Sequence, residues 1–318
     1  MGLFRKRLPL TKYLEITPPE PAAERSGIMI ATMIKNEANY VAEWLRYHHA
    51  VGIRHFVLYD DGSTDGTREV IAETLPPKYV TIVPWRGRMI DAESKATVNS
   101  QAIAFTHAIY NFGYDYKRIA FIDTDEFLVP KNGKTVEEAI AGLDEFPNIS
   151  LPWHMFGTSG HKTPPEGGVL MNYTRRARDP MSRKKNASNF KCIVDPCEVV
   201  EVSIHQFKTR KHGEFSANDV GHLASRNGRK GAGFYSAQNL QLNHYYTRSE
   251  AELEAKLSRG AASTASHQRY RNRVMSAVKN IEADTVEDRA VIDLIQREGI
   301  DLGIEPQSVR LRVVRQGA

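Results

Sequence analysis

Asp123, Asp125 and Glu126 crowd into the stretch KRIAFIDTDEFLVP at positions 117–130, directly behind the apolar run 119–122. An isolated carboxylate loses its hydration on burial and gains nothing in return, so three of them beside a core-type strand ask for a partner. A divalent cation such as Mg2+ or Mn2+ is one answer. These ions prefer oxygen ligands, keep waters, and bind through one or two carboxylates plus substrate phosphates. With Thr124 facing the sheet, Asp123 and Asp125 can point the same way, one or both holding an ion that in turn holds a diphosphate. A D-x-D pair by itself is common. An aspartate nucleophile of a phosphatase, or a solvated strand end, has the same residues, so the surroundings must decide.

Those surroundings alternate. GIMIATMIKNE is an apolar run with a polar exit, followed by EANYVAEWLRYHHAVG, whose Tyr40, Val41, Trp44, Leu45 and His48 share a helix face that Gly52 ends. HFVLYDDGSTDGT is a second strand breaking into a turn, with Asp65 or Thr64 placed to cap the helix GTREVIAETL. YVTIVPW is a third strand, ATVNSQAIAFTHAIYNFG a helix, RIAFIDTDEFLVP a fourth strand and TVEEAIAGLDEF another helix. Regular alternation predicts an α/β fold of Rossmann type, a mostly parallel sheet with helices on both faces. Ligands gather beyond the carboxyl ends of such strands. That rule lines up Lys35, Asn36 and Glu37, then Asp60 and Asp61, then Asp123 and Asp125, along one rim.

Past residue 150 the alternation stops. SLPWHMFGTSGH is rich in Gly, Ser and aromatics, and KCIVDP and VEVSIHQF are short strands behind an irregular basic linker. NLQLNHYYTRSEAELEAKLSRG reads as a strand ending in His244 and a helix capped by Ser249; TVEDRAVIDLIQREG is a further helix. The expected organisation is an extended arm (1–26), an α/β half (27–150), a less regular half of the same domain (151–260) and a helical extension (261–318).

Together these blocks resemble the glycosyltransferases of the GT-A fold, and most of all the family-2-like and family-92-like group. The likeness rests on IATMIKNEANYVAEWLRYHHAVGIRHFVLYDDGSTDGT and FIDTDEFLVP, then PWHMFGTSGH, KCIVDP, HQF and NHYYTRSEAELEAKLSRG, and covers roughly residues 28–260. The resemblance implies Asp60 or Asp61 at the base or ribose of a nucleotide, with Asn36 and Glu37 beside the nucleoside. It implies Asp123 and Asp125 as the metal and diphosphate motif, with Mn2+ or Mg2+ as cofactor. A late histidine completes the metal shell in this fold; His244 is the expected one, with His205 in reserve. Glycosyl transfer passes through an oxocarbenium-like transition state. Lys191, or an arginine of the basic stretch, can stabilise the departing diphosphate beside the metal. If the sugar centre inverts, the acceptor hydroxyl needs a base; Asp219 is the candidate, with Glu214 close behind, although a capping role explains Asp219 equally well. Trp153 and Phe156 either stack on a sugar ring or fill the core. The implied partners are a UDP- or GDP-sugar donor and a saccharide or lipid-linked acceptor.

Composition narrows the class. The chain is 41% hydrophobic and 25% charged over 318 residues, which suits an ordinary globular enzyme. No apolar run approaches the roughly 18–20 residues of a membrane helix. MGLFRKRLPL lacks the apolar segment and cleavage site of a secretory signal and has Lys6 where myristoylation needs Ser or Thr. A cytoplasmic location is the expectation. Cys192 and Cys197 are too few for a disulfide framework and lack zinc spacing, so they read as reduced structural thiols. Residues 171–230 hold 13 Lys and Arg against 6 Asp and Glu, a surplus of +7 against +5 for the whole chain. Many relatives in the group carry a membrane helix that is not evident here. For a lipid-linked acceptor, the basic stretch or the MGLFRKR arm would hold the enzyme peripherally at the inner membrane face.

Three rivals are weaker. A phosphatase wants Thr or Val where Phe127 stands and its motif near the domain start; a nucleotidyltransferase wants a glycine-rich loop where TMIKNEANY has none. A non-catalytic polysaccharide- or nucleic-acid-binding protein would use the basic half, but no nucleic acid is expected as partner.

Overall fold

The computed structural model describes residues 10–258 and 264–303. In chain order its main elements begin with β1 (Ile28–Ile34), α1 (Val41–Ala50), β2 (Ile53–Asp60), α2 (Thr67–Thr74) and β3 (Val80–Pro84). Next come α3 (Ser100–Phe112), β4 (Arg118–Phe121), β5 (Glu126–Pro130), α4 (Val136–Ala139) and β6 (Asn148–Met155). The last are β7 (Phe190–Val194), β8 (Leu240–His244), α5 (Glu250–Ser258), α6 (Thr264–Glu282) and α7 (Ala290–Glu298).

The alternating first half folds as its pattern dictates. β1 runs parallel to β2 on one side and β4 on the other, and β2 runs parallel to β3. Side chains alternate across each strand. Ile28, Ile30 and Ile34 of β1 therefore join Trp44 and Leu45 of α1, Ile71 of α2 and Val291 and Ile292 of α7 in one core. Met29 and Ala31 face the other way, against Phe105 and Ile109 of α3. Helices thus cover both faces. Gly52 ends α1 at φ 94°, and a Cβ there would stand 2.9 Å from Thr135 Cβ, so the turn needs glycine twice over.

From residue 118 onward the chain departs from expectation in three places. The stretch 118–130 is two strands rather than one. β4 stops at Phe121, and β5 starts at Glu126 and pairs antiparallel with β8. Glu126 makes the break: its Oε2 accepts the Asp123 N–H at 2.8 Å, while its own N–H donates to the Asp123 carbonyl at 3.0 Å. The acids therefore occupy a closed turn. SLPWHM, to which the sequence pattern assigns no element, lies in a buried strand, β6. The helix expected over TVEEAIAGLDEF is only α4, started by a Thr135–Glu138 capping box and followed by Gly142 at φ 86°.

β7 lies antiparallel between β4 and β6, and β8 runs parallel to β6, so the sheet is parallel in its first half and mixed beyond it. Within the described part of the arm, Leu10–Thr11 pairs with Thr97–Val98 and Leu14–Glu15 with Glu201 and Val202. The MGLFRKR segment and the last part of the 261–318 extension lie outside the described residues. Among the described residues, no helix is long and apolar enough to cross a membrane.

Candidate active site

The first two rim clusters are bound to one another. Asn36, at φ 57°, donates its backbone N–H to Ser63 Oγ at 3.0 Å and accepts from the Thr64 N–H at 2.9 Å. The Glu37 N–H reaches Thr67 Oγ1 at 2.8 Å, and Ala38 N–H reaches Asp65 Oδ2 at 3.1 Å. Asp60 is fully buried and accepts the Ser63 N–H (2.8 Å), the Ser63 hydroxyl (2.7 Å) and the Arg68 guanidinium. Burial would raise its pKa, but Ser63 and Arg68 overrule burial and lower it. Asn36 thus holds the DDGSTD loop against KNE, and Asp60 fixes the shape of that loop from within. Asp61 stays at the surface, 3.0 Å from Lys35 Nζ.

The third cluster collects its partners from far along the chain. Because β7 packs beside β4, Lys191 arrives buried, with Nζ 2.8 Å from Asp123 Oδ2 and 3.5 Å from Glu126 Oε2. Gln101 of α3 donates to the other Asp123 oxygen at 3.1 Å. The β5–β8 register sets His244 directly opposite Glu126. It leaves His244 Nε2 3.4 Å from Asp125 Oδ2 and Nδ1 3.8 Å from Glu126 Oε1. Lys256 Nζ of α5 stands 3.4 Å from the same Asp125 oxygen. Tyr245 N–H anchors the turn by donating to the Asp125 carbonyl at 2.8 Å.

Two neighbouring carboxyls are driven apart. Burial would raise Asp125, but His244 and Lys256 hold it well below the usual carboxylate range. Glu126 goes well above that range, because full burial and the charges of Asp123 and Asp125 outweigh the opposing Lys191. Burial would lower Lys191, yet Asp123 and Glu126 keep it firmly protonated.

Among the described residues, no three His, Cys, Asp or Glu side chains are arranged together as a metal cage. The residues fit a metal that brings its remaining ligands with it. Asp125 Oδ2 and His244 Nε2 are 3.4 Å apart, near the ~3 Å between adjacent ligands of an octahedral ion bound at ~2.1 Å. His244 Nδ1 and Glu126 Oε1 are both buried without a hydrogen-bond partner. A ligating histidine commonly turns its second nitrogen to a carboxylate, and Glu126 is placed for that. Asp123 does not join the pair; its oxygens are taken by Lys191 and Gln101.

Other expected residues fall into two groups. Trp153 is brought beside His244: half-buried, its ring centroid lies 4.5 Å from that of His244 and 5.6 Å from that of His205. His205 is spent on the Phe190 carbonyl at 3.0 Å, and burial pushes its pKa down to about 4. Phe156 is fully buried and stacks on Tyr245 at 4.7 Å, which makes it core and not sugar lining. Asp219 is not brought to the acids. Its Oδ2 accepts the Asn239 and Leu240 N–H groups at 2.8 and 3.2 Å, at the far end of β8 from His244. At ~3.3 Å per residue that end is roughly 13 Å away. Glu214 is exposed in a turn. Sequence reasoning missed Gln101, Arg248 and Lys256. Arg248 lies 3.5 Å over the Tyr40 ring, and the charges of Glu37 and Asp125 raise its pKa against burial.

The family description "Glycosyltransferase family 92" fits residues 27–282, and the chain belongs to that family. Two curated relatives make the likeness concrete. Glycosyltransferase family 92 protein Os08g0121900 of Oryza sativa subsp. japonica is 30% identical over 164 residues, 50% of this chain and 26% of that protein. Glycosyltransferase family 92 protein RCOM_0530710 of Ricinus communis is 28% identical over 179 residues, 53% of this chain and 30% of that protein. The match thus spans less than a third of either relative's length. Among solved structures, the mannosyltransferase PcManGT from Pyrobaculum calidifontis, in complex with GDP-Man and Mn2+, overlaps 43% of this chain and 38% of its own at 22% identity and TM-score 0.31. Glucosyl-3-phosphoglycerate synthase from Mycobacterium tuberculosis overlaps 48% of this chain and 53% of its own at 15% identity and TM-score 0.28. Both overlaps are partial.

Proposed function

We propose that the protein transfers a sugar from a nucleoside-diphosphate donor, a UDP- or GDP-sugar, to a saccharide or lipid-linked acceptor, with Mn2+ or Mg2+ held by Asp125 and His244. Family membership supports the reaction class. The observation that carries the rest is the approach of His244 Nε2 to Asp125 Oδ2 at 3.4 Å, beyond the end of β4. When bound, the ion would neutralise charge on the departing diphosphate. The chain's own residues prepare that place. Glu126 shapes the turn through the Asp123 N–H and faces the second nitrogen of His244. Lys191 and Gln101 fix Asp123, so the loop keeps its form without the ion. Exposed Asp61 and the KNE turn offer polar groups to a nucleoside, and Trp153 offers an aromatic wall to a sugar.

Thermal denaturation with UDP or GDP, each with and without Mn2+, tests the reading. A ligand that binds only the native state stabilises it by RT ln(1 + [L]/Kd). The expected result is an upward Tm shift with nucleotide and Mn2+ together, lost in Asp125→Ala. No shift with either nucleotide overturns it.

A further inference from the structure

The Asp125 oxygen that faces His244 also faces Lys256, each at 3.4 Å. A built-in cation therefore rests against a metal-ligand oxygen. Lys256 Nζ also donates to the Tyr246 carbonyl at 3.0 Å and lies 4.2 Å over the Tyr246 ring. The pair is open to solvent on one side, with 28% of the lysine and 21% of the aspartate side chain exposed.

The helix that carries Lys256 is firmly seated. Ser249 N–H donates to Glu252 Oε2 at 2.9 Å while Glu252 N–H donates to Ser249 Oγ at 3.3 Å, a reciprocal cap on the first turn of α5. Tyr173 donates to Glu252 at 2.8 Å, and Tyr40, at the start of α1, donates to the other Glu252 oxygen. A fixed helix with a lysine on a flexible four-carbon stem lets the ammonium change partners while its Cα stays in place.

A divalent ion ~2.1 Å from Asp125 Oδ2 would lie no more than roughly 5.5 Å from Lys256 Nζ in its present position. Like charges at that range repel unless an anion comes between them. A diphosphate does so: its oxygens can meet the ion on one side and the ammonium on the other. Arg248, held on Tyr40 from the same segment, adds positive charge on that side of the turn.

We propose that Lys256 is a partner-exchanging residue, neutralising Asp125 before ligand arrives and turning to the diphosphate of the donor when metal and nucleotide bind. The inference rests on the donor reading above. Lys256 then penalises metal alone and rewards metal with diphosphate, so the two load as a unit.

Isothermal titration of the full chain distinguishes the cases. Lys256→Met and Lys256→Gln are compared with wild type, first with MnCl2 alone, then with UDP and with GDP at saturating Mn2+. Expected in both variants is tighter binding of Mn2+ alone, by about fivefold or more, and weaker binding of nucleotide with Mn2+, by on the order of tenfold for one lost charge-assisted contact. Lys256→Arg should restore most of the nucleotide affinity. If wild type binds nucleotide with Mn2+ and the variants match it in both titrations, the exchange is wrong and the donor reading stands. If both affinities fall together, Lys256 merely supports the site and the exchange is again wrong. Should wild type bind neither nucleotide, both inferences fall.

Discussion

Asp60 and Asp125 follow two strands of one sheet at the same rim, yet they spend their charge differently. Asp60 is answered by near neighbours in sequence, Ser63 three residues on in the loop and Arg68 eight residues on in α2. Asp125 is answered by His244 and by Lys256, the latter 131 residues on. The local closure leaves Asp60 wholly buried and a loop locked in shape. The long-range closure leaves Asp125 partly exposed, between His244 and Lys256. Carboxylates at strand ends thus mark the rim in general, and the origin of their partners separates scaffold from site.

Breaking the local closure should be the larger effect on stability. Arg68→Ala removes a half-exposed, solvent-screened charge-assisted donor from a buried carboxylate and is expected to cost about 1–2 kcal/mol in urea denaturation. Affinity for Mn2+ with nucleotide should change far less. The opposite result, normal stability with lost nucleotide affinity, would move Asp60 into the site. Asp219 sharpens the same contrast within the later half. Asp219→Asn is expected to cost about 1 kcal/mol, the net worth of one hydrogen bond, through its clamp on the start of β8. Turnover of a UDP- or GDP-sugar should persist in that variant; its abolition in a stable protein would restore Asp219 as the base.

Much of this was legible in the sequence. The apolar runs of β1, β2 and β4 and the helix faces between them set the parallel half, since period and length are local properties. Asp125 stood out because a carboxylate behind a core strand needs a reason, and His244 because of the motif around it. The break at 122–125 was hidden by apolar residues on both sides, and its cause is a Glu126 side chain turning back to the Asp123 N–H. The β6 strand was masked by Pro152 and Trp153, which pair normally in the sheet. Lys256 was invisible for a different reason. A lysine on a charged helix reads as a solvated face until the fold brings Asp125 beneath it. Asp219 misled in the reverse direction, because a polar loop does not reveal that its acid is committed to backbone N–H groups.

In the proposed function, Asp125 and His244 form the protein's half of a metal–diphosphate site. Crystals grown with MnCl2 and UDP or GDP, with data collected at the manganese edge, test it directly. The expected result is one anomalous peak bonded to both Asp125 and His244, with diphosphate oxygens completing its shell. A peak on Asp60 or Asp61, or nucleotide bound with no manganese at Asp125, would contradict it.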